Sequence, residues 1–358
     1  MLPPREGFSP EAVGAIGLLV HRLADPADLI LGRAMSAPPF ADRRFVPVAP
    51  SGWPVPGDRL RYVAGVARRL RDAAPELVEV HNRPDMAVLL ARRFPRTPFT
   101  LFLHNDPQAM RYARSPAERR ALARRMRVVA VSDHLRRRFR DGTGPHLPVE
   151  LLPNCLDLDA LPPPLSDAAR APLILFAGRL VADKGADSFV AACAEALPGL
   201  PGWRAEMIGA DRFRAASPET PFLARLRPAA FRAGVVLAGY RPHDQVLAAM
   251  AQAAIVVVPS RWPEPFGLTA LEAMASGAAL ITSGRGGLAE LTAGAALQVD
   301  PDAPGAMAEA LHTLARDPAA RARFAAAGRI RAAAYDLPAA RARLAALRRD
   351  ALGCGSAR

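Results

Sequence analysis

Short apolar runs of strand length alternate with longer helical patterns along the whole chain. No other feature of the sequence constrains the fold as much. Residues 77–81, 99–103 and 128–131 read as strands in the first half, and residues 173–176, 206–208, 235–237, 255–258 and 279–281 in the second. Helical segments such as 58–73, 118–125, 242–252 and 268–275 lie between them. This alternation predicts an α/β fold whose parallel sheets carry helices on both faces. At 358 residues the chain exceeds the ~250–300 at which a single core stops growing, so two domains are expected. Leu161-Pro162-Pro163-Pro164-Leu165 marks a break, because three prolines in a row continue neither a helix nor a central strand. The expected organisation is a Rossmann-like domain over 1–162, a second over 163–335, and a terminal helix over 336–358 that packs back on the first domain. Doubly wound sheets bind ligands outside the carboxyl ends of their strands, so two such domains are expected to face each other across a central cleft.

Apolar residues make up 51% of the chain, enough for a core in each half. No apolar run reaches the ~18 residues of a membrane span. Met1-Leu2-Pro3-Pro4 lacks the basic and apolar stretches of a signal peptide, so a cytoplasmic location is expected. Pro3 to Gly7 reads as a loop and residues 10–23 as the following helix. A strand should precede that loop, and only Met1-Leu2 stand there. Either the natural start lies upstream or the strand is reduced. Cys155, Cys193 and Cys354 are odd in number and scattered, which fits reduced thiols better than a disulfide framework or a zinc site.

The net charge is +13, and nearly all of the basic charge is arginine. An arginine-rich composition of this kind reads most simply as a GC-rich coding bias. Lys184 is the only lysine in the chain. Where composition turns every replaceable lysine into arginine, the survivor marks a place where a planar fork cannot replace a compact ammonium.

Two constellations carry chemistry. The first is Gly178-Arg179…Lys184-Gly185, at the junction between an apolar strand and a helix over 187–196. Two cations beside free backbone N–H groups suit a diphosphate. The second is Glu264-Pro265-Phe266-Gly267-Leu268-Thr269…Glu272, which follows a strand ending at Pro259 and opens a helix near Gly267. N–H groups at the helix start can hold ligand oxygens. Glu272 lies about 7.5 Å beyond Gly267 at ~1.5 Å per residue, so two carboxylates could reach hydroxyls at two ends of an extended ligand. Taken singly, each residue has a plainer reading as a surface charge or a solvated helix face.

In this order and on these elements, the two motifs resemble the retaining transferases of glycosyltransferase family 4, whose GT-B fold pairs two Rossmann-like domains. The resemblance extends over the second half, through Gly284-Arg285-Gly286-Gly287…Glu290. It is weaker in the first half, where Pro4, Gly7, His104, Pro153 and Asn154 match in style. It implies a nucleotide-diphosphate sugar as donor, with no cofactor and no metal. Gly178, Arg179 and Lys184 would hold the diphosphate, and Glu264 the hydroxyls of the transferred sugar. Phe266, Gly267, Leu268 and Thr269 would offer backbone contacts, and Glu272 would hold the ribose. Gly7 would lie near the phosphates and the acceptor. His104 resembles the family histidine near the reacting carbon. Glu264, His104, Arg179 and Lys184 would then carry the reaction, with no glycosidase-like nucleophile. His81, Asn82, Asn105 and Asp106 are acceptor-side candidates, beside Glu79 and Arg83. The acceptor implied is a glycan or a lipid-linked sugar of cell-surface polysaccharide or lipopolysaccharide synthesis.

Arg119, Arg120, Arg124, Arg125 and Arg127, then Arg136, Arg137, Arg138 and Arg140, are expected on an anionic membrane's inner face, against an acidic glycan, or simply on solvated helix faces. Asp157-Leu158-Asp159 imitates a metal motif of another transferase fold but sits where aspartate is a common turn residue. Gly284 to Gly287 lacks the spacing of a dinucleotide fingerprint. After Glu290 the sequence departs from the family, and no donor contact is carried over there. Two other readings are a nucleotide-sugar epimerase on the same fold and a basic binding protein. Aromatic residues at 6% provide few stacking platforms, which argues against a nucleic-acid partner.

Overall fold

The computed structural model describes residues 1–11, 13–49, 57–144, 146–211 and 219–353, so Cys354 lies outside the described residues. Two compact units form: Met1–Cys155 with Leu337–Arg358, and Leu156–Asp336. The division falls at Cys155, ahead of Pro162, Pro163 and Pro164, which belong to the second unit. The two chain crossings are tied together at this point. Leu156 N–H donates to the Tyr335 carbonyl at 3.0 Å, and Leu156 pairs with Asp336 in an isolated bridge.

The first unit runs α1 (Ala15–Leu23), β1 (Leu29–Arg33), β2 (Arg44–Val48), α2 (Asp58–Ala73), β3 (Val78–His81), α3 (Pro84–Arg93), β4 (Phe99–Leu103), α4 (Pro116–Arg125), β5 (Arg127–Ala130), α5 (Asp133–Arg140) and β6 (Glu150–Leu151). Strands β3-β4-β5-β6 form one parallel sheet, and β1-β2 a parallel pair. Met1-Leu2 stand between them: Leu2 N–H donates to Leu31 O at 2.8 Å, and His81 N–H to Met1 O at 3.1 Å. The first helix starts at Ala15, five residues later than its pattern predicts. The Glu6 carboxylate accepts the Gly17 N–H at 2.8 Å. That contact sets Glu6 across the helix start. Burial raises the Glu6 pKa.

The second unit runs β7 (Ala171–Ala177), α6 (Ala186–Ala196), β8 (Arg204–Ile208), α7 (Pro221–Arg232), β9 (Val235–Gly239), α8 (His243–Gln252), β10 (Ala253–Val258), α9 (Leu268–Ala275), β11 (Ala279–Thr282), α10 (Gly287–Leu291), β12 (Leu297–Gln298), α11 (Ala306–Arg316) and α12 (Pro318–Ala333). Its six strands are parallel in the order β12-β11-β10-β7-β8-β9. The chain winds outward from β7 to β9, returns, and winds the other way from β10. This is the doubly wound order, and its switch point lies between β7 and β10. β10, with the sequence Ala-Ala-Ile-Val-Val-Val, is buried on both faces, as a central parallel strand must be. Among the described residues, no helix is long and apolar enough to cross a membrane.

The last helix, α13 (Leu337–Gly353), has an Ala/Arg-rich sequence with little apolar character, yet it completes the first unit's core. Leu337, Ala340 and Leu344 pack with Leu19, Leu23, Phe102, Val129 and Leu152. Arg348 donates to both Glu79 oxygens, at 2.9 and 2.8 Å, and to Asp28 at 2.9 Å. Leu344 is 4% exposed and Leu352 is 40% exposed. Leu344→Ala is therefore expected to destabilise the protein by about 2–5 kcal/mol, against about 1 kcal/mol or less for Leu352→Ala. Chemical denaturation of the two variants checks this, and equal effects would remove the helix from the core.

Candidate functional site

The switch point is where β7 and β10 diverge in connection, and both constellations of the second unit lie there. After β7, the chain turns through Gly178, whose N–H donates to Ile208 O at 3.0 Å. Arg179 is exposed in this turn. A short 3-10 turn over Ala182–Lys184 then leads to Gly185, which caps α6 with φ +69°. A Cβ at Gly185 would lie 2.1 Å from the Pro259 carbonyl oxygen, so only glycine lets the two loops touch.

Hydrogen bonds fasten that contact. The Asp183 carbonyl accepts the N–H groups of Arg261 and Trp262, at 2.9 and 3.0 Å, and lies 3.2 Å from Ser260 Oγ. Lys184 Nζ donates to Glu264 Oε1 at 2.5 Å, and Ser260 Oγ donates to the same oxygen at 2.6 Å. Both bonds use Oε1, which leaves Oε2 without a hydrogen bond among the described residues. The structure thus brings together the lone lysine and the carboxylate that the sequence singles out. Arg261 reaches Asp187 and Asp302, both at 2.6 Å, and so ties the start of α6 to the same junction.

Glu264 is also held through its backbone. Its N–H donates to Arg285 O at 3.2 Å, and its carbonyl accepts the Gly287 N–H at 2.6 Å. A Cβ at Gly286 would come within 2.6 Å of the Glu264 backbone. The segment from Gly284 to Gly287 therefore meets Glu264 with backbone, through the Arg285 carbonyl and the side-chain-free Gly286 and Gly287. That is its physical role, in place of a dinucleotide turn.

Helix α9 opens at Gly267, and its N–H groups at Leu268 and Thr269 precede the first intrahelical bonds. The Phe266 ring is buried edge-on against Tyr335, with centroids 5.5 Å apart, so only its backbone is left for a ligand. Glu272 is buried on α9, and its Oε1 lies 2.7 Å from His243 Nε2. His243 opens α8 and is absent from the sequence reading. Its partner is 29 positions away, and only the fold joins them.

In the first unit, His81 ends β3, and His104 follows β4. Nδ1 of His81 lies 3.0 Å from Nε2 of His104, and both side chains are buried. Burial lowers the His104 pKa to about 3. Burial, then the charge His104 would carry, holds His81 well below its ordinary range. Both rings are neutral near pH 7. Asn82 sits at φ +58°, and its Oδ1 accepts the N–H groups of His104 and Asn105, both at 3.1 Å. Asp106 accepts Gln108 N–H at 2.9 Å and pairs with Arg138 at 2.7 Å. Glu79 is taken by Arg348 and Arg83 by Asp85, so these acceptor-side candidates are engaged within the unit.

The arginine clusters are less available than their sequence implies. Arg119 is buried and donates to the Phe139, Ala113, Arg114 and Asp141 carbonyls. It is a core residue of the α4–α5 corner and faces no membrane. Arg136 and Arg137 pair with Asp133, Arg127 pairs with Glu150, and Arg125 donates to Ala91 O.

Comparison with known proteins follows the same division. The family model described as glycosyl transferases group 1 matches residues 162–331, and the one described as glycosyltransferase family 4 matches residues 25–160. The lipopolysaccharide core biosynthesis mannosyltransferase LpcC of Rhizobium leguminosarum bv. viciae is 32% identical over 58% of this chain and 58% of its own. The chain spans 60% and 23% of the length of the first two curated relatives it matches. Among solved structures, sucrose-phosphate synthase from Thermosynechococcus elongatus superposes with a TM-score of 0.80 at 20% identity, over 99% of this chain and 98% of that one. Anabaena HepE in complex with UDP-glucose superposes with a TM-score of 0.75 at 20% identity, over 98% of each chain. The fold is GT-B.

The two depressed histidines set a pH dependence. Below the ordinary histidine value of about 6.5, the unfolded chain binds protons that the folded rings refuse. Stability is therefore expected to fall as pH drops from about 6.5 toward 3, by about one proton per histidine, and to be unaffected by them above that range. Urea unfolding across pH 4–7 should show a shallower slope in the His81→Asn/His104→Asn protein, and identical slopes would contradict the assignment.

Proposed function

The chain belongs to glycosyltransferase family 4, of the group 1 type, and from that premise we propose that it moves a sugar from a nucleotide-diphosphate sugar to an acceptor hydroxyl with retention of configuration and without a metal ion. The observation that carries this reading is the junction of Lys184, Ser260 and Glu264 at the β7/β10 switch point, beside the open start of α9. Arg179, Lys184 and the N–H groups of Leu268 and Thr269 hold the diphosphate. Breaking the anomeric bond leaves negative charge on that diphosphate, and donors fixed beforehand stabilise it without reorganising. Gly178 and Gly267 leave the approach open. Gly7 borders the phosphates and the acceptor.

Glu264 orients the transferred sugar through Oε2, the oxygen not engaged by Lys184 and Ser260. Glu272 binds the ribose hydroxyls through the oxygen that His243 leaves open. Neither carboxylate acts as a nucleophile. The acceptor hydroxyl attacks on the face the diphosphate leaves, and a diphosphate oxygen takes its proton. His104 contacts the donor sugar near the reacting carbon, and its neutral ring suits hydrogen bonding to hydroxyls. The acceptor is a glycan or a lipid-linked sugar, in keeping with the lipopolysaccharide core named for LpcC. We place the reaction in the cytoplasm, at the inner face of the membrane.

Lys184→Ala is expected to lower kcat/KM by about 10²–10³-fold, the effect of removing one donor aimed at developing charge. Lys184→Arg should not restore it, since a planar fork cannot take the place of the ammonium between Ser260 and Glu264. Glu272→Ala should weaken binding of nucleoside diphosphates, titrated calorimetrically, while leaving inorganic diphosphate unaffected. Unchanged nucleotide affinity in both the Lys184→Ala and Glu272→Ala proteins would sink the donor-site assignment. Thermal stabilisation by UDP-, GDP- and ADP-sugars identifies the base.

A further inference from the structure

The contact between His81 and His104 has a consequence for the reaction that neither ring has alone. The nitrogens face each other at 3.0 Å inside the protein. Phe102 stacks on His81, with ring centroids 4.8 Å apart and planes 17° from parallel. Asn82 grips the backbone N–H groups of His104 and Asn105. The His81 ring and the chain that carries His104 are therefore both held.

At that distance two neutral imidazoles must share one hydrogen. Two N–H groups would repel, and two lone pairs would leave buried acceptors unpaired. This choice fixes the outer nitrogens as well. If His81 Nδ1 donates, His104 Nε2 accepts, and His104 keeps its hydrogen on Nδ1. If His104 Nε2 donates, its Nδ1 is a bare acceptor, and the hydrogen of His81 sits on Nε2. The state of one ring dictates the state of the other, as the partner of a histidine generally sets its tautomer.

We propose that His81 is a positioning residue: it locks His104 into one neutral tautomer and one ring orientation, and so decides whether His104 donates to or accepts from the donor sugar. The proposal rests on the role given to His104 above. In this role His81 acts through His104, in place of the acceptor contact expected from sequence.

The test is ¹⁵N spectroscopy of histidine-labelled protein, joined to kinetics. In the wild type, His104 should show one protonated and one bare ring nitrogen, with no averaging. His81→Phe keeps a ring against Phe102 but removes the hydrogen bond. His81→Asn keeps a donor and an acceptor near the position of Nδ1. In His81→Phe the His104 signals should move toward the tautomer average, with kcat down about 10- to 100-fold and donor KM within about twofold, the scale seen when an orienting partner is lost. His81→Asn should recover the single tautomer and much of kcat. An unmoved His104 spectrum in His81→Phe overturns the proposal. So does equal loss of kcat in both variants with that spectrum unmoved. If His81→Phe does not fold, averaged His104 tautomers in the wild type overturn it alone. Full kcat in His104→Ala would instead refute the role of His104, while the spectra still judge the hydrogen bond.

Discussion

The site depends on one close approach, that of the loop after β7 to the loop after β10. It requires backbone against backbone at Gly185 and Pro259, and again at Gly286 and Glu264. Only then does the Lys184 ammonium reach Glu264, which is nearly inaccessible to water. A carboxylate buried without a partner costs several kcal/mol, and here Lys184 and Ser260 both satisfy it. The two cationic and anionic groups are thus mutually dependent. Removing the ammonium leaves a buried charge, and adding a methyl group at Gly185 drives the loops apart.

The same constraint explains why the glycines of the site differ in kind. Gly185 supplies a left-handed turn and lets Pro259 approach. Gly286 and Gly287 clear the space for a two-residue bridge to Glu264. Gly267, at φ +105°, starts α9 with Leu288 packed where a side chain would be. Each glycine therefore sets the position of one wall of the site without touching a ligand through a side chain.

Much of this was legible in the sequence, because its signals are local. The alternation of strands and helices carried the fold class, and α2 and α9 fall on their expected bounds. Lys184 stood out by being alone, and its partner Glu264 by a motif only a few residues long. What was not legible depends on distant residues. Strand β1 contains Gly32 and strand β2 contains Pro47, and neither shows clear alternation. Glu6 delays the start of α1 by a bond to Gly17, which no helix propensity encodes. Arg119 reads as one of a charged run but is spent on four carbonyls at a helix corner. His243 and His81 acquire meaning only through Glu272 and His104, and their pairing is tertiary.

The polar groups at the strand ends of the two units are managed in opposite ways. In the second unit, they are charged and incompletely used: among the described residues, Glu264 and Glu272 each keep one oxygen without a hydrogen bond. Each is held through a single oxygen. In the first unit, the charged groups Asp106, Glu79 and Arg83 are paired off, and the buried pair at the strand ends is neutral. A buried neutral ring differs from these charged groups in what it can offer. It can hydrogen-bond a hydroxyl without adding charge, whereas the lysine and carboxylates of the second unit each bring one. Burial keeps both rings neutral near pH 7, so the polar groups of the two units differ in charge as well as in sequence.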